Sequence, residues 1–172
     1  MKKTTLSGLL KYILVLLAIA GCSSGNEDEV AQPTTARVTV MSQGASASMQ
    51  IGGIDITVVL PAGVTVKAAP DSENPNVQVT SAGVVEASGA AAGTNTSTLA
   101  TYSAATATMP GTVMVQMVSA NGFGTGEFVT IDCDIATGSF PTVTDFSVTL
   151  VKAVDINGAA IALTVGYTAD IQ

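Results

Sequence analysis

Histidine and tryptophan are missing from all 172 residues, and only two cysteines are present. Without histidine the chain lacks the most frequent general base and the commonest imidazole metal ligand. Without tryptophan, sugar stacking loses its broadest ring. Lysine and arginine number six, and three of them, Lys2, Lys3 and Lys11, fall in the first eleven residues. Beyond residue 21, Arg37, Lys67 and Lys152 stand against thirteen Asp and Glu, a net charge of −10. Nucleic-acid binding needs clustered basic residues, so that partner is excluded, and so is electrostatic attachment to anionic lipid. No stretch past residue 21 keeps a 3.6-residue apolar period, which argues against helices.

What is present begins with a greasy leader. Its uninterrupted apolar run, Tyr12–Ala20, is nine residues long, short of the roughly 20 that a membrane-spanning helix needs. A basic start, a short apolar core and a small-residue exit are the parts of a secretory signal peptide. Ile19-Ala20-Gly21-Cys22 resembles a bacterial lipobox. The resemblance implies cleavage after Gly21 and acyl chains on Cys22 that hold the protein at the membrane, each methylene adding about 0.8 kcal/mol. Ser23 stands where an Asp would suggest inner-membrane retention, which favours the outer membrane.

Three parts follow. Residues 1–21 read as a lipoprotein signal peptide. Residues 22–35 read as the lipidated cysteine and a disordered tether, polar and acidic and too poor in apolar groups to order itself. Residues 36–172 suit one domain with its own core.

Within that domain apolar and polar residues alternate at 36–41 and 54–60, the latter placing Ile54, Ile56, Val58 and Leu60 on one face. Val64–Lys67, 77–80, 83–87, Leu99–Ser103 and 112–119 read as further strands, with Val113, Val115 and Met117 sharing a face. Residues 127–136 are the strongest strand pattern. There Val129, Ile131, Cys133 and Ile135 face one way, and Phe128, Thr130, Asp132 and Asp134 the other. A long strand over 144–154 and one or two over 161–171 complete the set. The conformation of 88–98 stays open. Pro61, Pro70, Pro75, Pro110 and Pro141 all fall between strands, as ladder hydrogen bonding requires. The glycine-spaced loop Asn121–Gly126 leads into a strand pattern, so it cannot hold phosphate at a helix start. About nine short strands separated by Gly/Pro turns predict an all-β, two-sheet sandwich.

Three pieces resemble cohesin domains. They are Gly53–Pro61 with Val64–Lys67, the glycine-led Phe123–Ile131, and Val154–Ile161 with its closing Asp155-Ile156-Asn157-Gly158 turn. Val59-Leu60-Pro61 departs from the Tyr-Asp-Pro that cohesins often carry there, which puts dockerin recognition in doubt. The resemblance implies a nine-stranded jelly-roll sandwich, related to some carbohydrate-binding modules, that works by protein–protein docking.

Candidate site residues are few. Asp132 and Asp134 lie two apart on one strand and so point the same way, about 6–7 Å apart. They are weak candidates for a hard cation, with Asp155 or a carbonyl completing the shell, against a plain solvated face. As glycosidase carboxylates they lack a cleft or an aromatic subsite. Cys133 reads as a buried, inert thiol. Phe123 reads either as an exposed contact or as a plug over the sandwich end. Tyr102 and Tyr167 read as a small sugar platform or as ordinary amphipathic strand tyrosines. Asn95-Thr96-Ser97 fits a glycosylation sequon. The expectation is therefore a membrane-anchored envelope module with no cofactor and no catalytic residues. It binds a protein partner, or alternatively a polysaccharide.

Overall fold

The computed structural model describes residues 31–44, 49–67, 76–78, 83–93 and 95–172. The leader, Cys22, most of the tether, the Pro70–Pro75 loop and residues 79–80 lie outside the described residues. The strands belong to the compact unit Gln32–Gln172. Among the described residues there is no α-helix, and no helix long and apolar enough to cross a membrane.

Among the described residues ten strands form in chain order. They are β1 (Thr35–Gly44), β2 (Ile51–Leu60), β3 (Val64–Val66), β4 (Asn76–Gln78) and β5 (Val85–Ala87), then β6 (Thr96–Ser103), β7 (Gly111–Phe123), β8 (Gly126–Ile135), β9 (Ser147–Asp155) and β10 (Leu163–Ile171). All pair antiparallel. One five-stranded sheet, here sheet A, runs β10-β1-β8-β3, with β5 also on β8. The other, sheet B, runs β4-β6-β7-β2-β9. Every connection except β6–β7 carries the chain from one sheet to the other, which excludes a simple meander.

Alternation builds the core. Val38, Val40, Val129, Ile131, Cys133, Val64 and Val66 of sheet A are buried in one cluster with Ile54, Ile56, Val58, Leu60, Val113, Val115 and Met117 of sheet B. Half-buried Leu163, Val165, Tyr167 and Ile171 continue that cluster along the edge strand β10. The tract 88–98 resolves into a 3-10 turn at Gly89–Ala91, a left-handed Asn95 with φ of 74°, and the first residues of β6.

Three local readings need correction, and each has a backbone cause. Phe128 does not share the outer face with Asp132. The β1–β8 register shifts between Val40 and Met41, so Val40 faces Val129 while Met41 faces Glu127. The bulge turns Phe128 inward, where it is fully buried. Asn121-Gly122 is no loop. It lies inside β7, in an irregular stretch between the Gly53–Val118 and Ile51–Phe123 pairs, with Gly122 at φ of 70°. Asp145 does not begin a strand, because it ends a 3-10 turn, Val143–Asp145, and accepts a 2.7 Å bond from the Thr142 N–H.

Gly52 is the tightest seam in sheet B. A Cβ there would overlap the Asp155 carbonyl oxygen and lie 2.7 Å from the Ile156 Cα. Both obstacles are backbone, so no side-chain rotation relieves them. Gly52→Ala should destabilise the domain by about 1–3 kcal/mol, the scale of overpacking. Urea unfolding checks this, with Gly124→Ala as control, since a Cβ at Gly124 meets nothing within 4 Å.

Candidate functional site

The outer faces of the two sheets divide the charge between them. Sheet A carries Arg37 on β1, Glu86 on β5, Glu127, Asp132 and Asp134 on β8, and Asp170 on β10, with Lys67 just past β3. Arg37 sits in register with Asp170 on one side and Asp132 on the other. Its Nε donates to Asp132 Oδ1 at 2.7 Å and its Nη2 to Oδ2 at 3.1 Å. The guanidinium bond holds the Asp132 carboxyl below the usual carboxylate range. Partial burial opposes this, and the charges of Arg37 and Lys67 add to it. A shallow cavity of about 300 Å³ lies here, lined by Thr35, Arg37, Lys67, Asp132 and Asp170 among others.

Asp132 has both oxygens engaged by Arg37, so it does not offer a free carboxylate beside Asp134. Asp155 is on sheet B, and its Oδ1 accepts the N–H groups of Asn157 and Ala159, each at 2.8 Å. Among the described residues no group of three or more His, Cys, Asp or Glu is placed to hold a metal ion. Cys133 is buried between the two aspartates in sequence. Burial first, and then those two charges, push its thiol up to about 12.

The aromatic candidates do not form a platform. Tyr102 is 4% exposed on the inner face of β6, while Tyr167 lies in the other sheet. The Tyr167 hydroxyl lies within hydrogen-bond reach of the Val143 and Phe146 carbonyls and pins the turn before β9. Phe123 is the plug rather than the exposed contact: it is buried and stacks on Phe128 with centroids 6.2 Å apart.

Sheet B presents the opposite surface. Its strands carry only Asp55, Lys152 and, at the far end of β9, Asp155. Asp55 and Lys152 face each other in register across β2 and β9. Around them Leu99, Met114, Val118 and Val151 are 41%, 51%, 62% and 63% exposed. Val151 is outward because the β2–β9 register shifts between Asp55 and Ile56, leaving it as the extra residue. Gly53 has no side chain to fill its position, and a depression of about 220 Å³ lies there between Val118, Val154 and the Asp55/Lys152 pair. Sequence reasoning passed over these residues. Their signal was available in β7, where the outward Met114 and Val118 are as apolar as the inward Val113, Val115 and Met117. Phe140 was also passed over. It is 58% exposed on a loop beside Pro61 and Pro141.

Comparison with known proteins finds no matching family model, no matching curated protein and no matching solved structure.

The Arg37–Asp132 pair gives a pH dependence of known sign. A carboxyl whose folded pKa lies below its unfolded value, about 3.9, stabilises fully above that value and less as pH falls through the folded one. The pair is partly exposed, at 62% and 26% for the two side chains, so its contribution at neutral pH should be no more than about 1 kcal/mol. Asp132→Asn should be less stable than the parent chain at pH 7, and the two should converge near pH 2, as followed by urea unfolding at each pH.

Proposed function

We propose that this protein is a lipid-anchored binding module of the cell envelope, outer membrane favoured, with a cohesin-like jelly-roll sandwich that docks another protein. The observation that carries the docking part is the contrast between the two outer faces. One sheet carries six of the nine charged residues of the strands, a net of −4. The other carries three, a net of −1, and exposes four large apolar side chains. Large exposed apolar patches rimmed by polar groups mark interaction sites on soluble domains. The repeated crossing between sheets supports the jelly-roll reading, and the lipobox-like Ile19-Ala20-Gly21-Cys22 supports the anchor. Protein docking is favoured over carbohydrate binding because Tyr102 faces inward and Tyr167 is tied to a turn.

Cys22→Ala should release the protein from membranes into the soluble fraction. A chain with a net charge of −10 beyond residue 21 has no electrostatic hold on an anionic surface once the acyl chains are gone. A variant that still sediments with membranes after a salt wash would sink the anchor. Saturable binding of the native protein on a glycan array would move the function to the carbohydrate reading.

A further inference from the structure

We infer that the outer face of sheet B is the contact surface for a second copy of this chain, so that the anchored protein pairs face to face in the membrane plane. The inference deepens the docking-module reading, on which it rests, by naming the occupant of the face.

Charge selects the occupant. Two copies that each carry −10 beyond the leader repel each other through sheet A, whose outer face holds Glu86, Glu127, Asp132, Asp134 and Asp170. Sheet B is the face on which that repulsion is lowest. Its one opposed pair, Asp55 beside Lys152, cancels its own charge within the face, so a two-fold axis along the middle strand β7 sets the face against itself, Met114 and Val118 meeting their own counterparts. A two-fold contact requires this kind of patch, the same surface serving both sides.

Shape and size agree. The face has five strands. Strands about 4.8 Å apart and about eight residues long span roughly 24 by 26 Å, a footprint of about 600 Å². A standard interface buries about 800 Å² of accessible surface per partner, and accessible area exceeds the flat footprint. Sheets pack face to face about 10 Å apart through interdigitating side chains. Met114 and Val118 project on β7, and the depression over Gly53 beside them receives an apolar side chain from the facing sheet. Anchoring on a shared membrane raises the effective concentration of copies, so a modest interface suffices. The exposed apolar groups on this face are aliphatic or thioether, which suits a protein surface better than a sugar ring.

Cysteine cross-linking of the full-length protein in native membranes tests this. Cys133 is buried, so Val118→Cys adds an accessible thiol on the middle strand of the face. Mild oxidation with copper phenanthroline should give a disulfide-linked dimer of twice the protein mass. Thr39→Cys, on the outer face of sheet A, should give little. Adding Met114→Lys to Val118→Cys should reduce the dimer about tenfold or more, because it places two like charges against each other in a desolvated contact. Equal cross-linking from Val118→Cys and Thr39→Cys, or none from either, overturns the pairing. A Val118→Cys product of some other mass also overturns it, and leaves the docking-module reading standing with a different partner. The anchor is scored separately by the parent chain, whose Cys22 cross-links only if it carries no lipid.

Discussion

Each residue of a β-strand points to one side of its sheet or the other, and two stacked sheets make one of those sides dry. That constraint governs the rest of this molecule. It selects Val, Ile and Leu at alternate positions of β1, β2, β7 and β8. It buries Cys133 and Tyr102, and it ejects Arg37, Asp132, Met114 and Lys152. Breaking the alternation takes a bulge, and three irregularities do so with definite effects. One turns Phe128 into the core, one leaves Val151 outside, and one lets Phe123 close the end of the sandwich against Phe128.

The all-β class, the two sheets and most strands could be read from the sequence because period-two alternation is a local signal. The inward sets Ile54-Ile56-Val58-Leu60 and Val113-Val115-Met117 needed nothing else. What escaped was set by pairing. No feature of Gly126–Ile135 alone says that Phe128 is the extra residue, since that follows from how β1 lies beside it. The Arg37–Asp132 pair joins residues 95 positions apart, a distance over which no local pattern speaks. Tyr102 and Tyr167 looked alike in sequence, yet one is core and the other a latch on the Val143–Asp145 turn. The apolar face of sheet B was half legible, because Met114 and Val118 make β7 apolar on both sides, whereas Val151 depended on a bulge.

The division of charge between the faces follows from the acidic composition. A chain with so few basic residues is repelled by other acidic surfaces. Concentrating the carboxylates on sheet A leaves sheet B able to approach another surface. In that division Asp132 lies on the charged face of sheet A and is held by Arg37. Function in this reading resides in a surface, with the core as its support.

Methionine oxidation tests the covered face most directly, without altering the protein. Met109 and Met114 are 64% and 51% exposed in the single chain, so dilute peroxide should oxidise both at similar rates when the protein is dispersed. In membranes, with sheet B covered, Met114 should be protected several-fold while Met109, on the loop joining β6 to β7, reacts as before. Equal oxidation of Met109 and Met114 in membranes would show sheet B open to water and contradict the account.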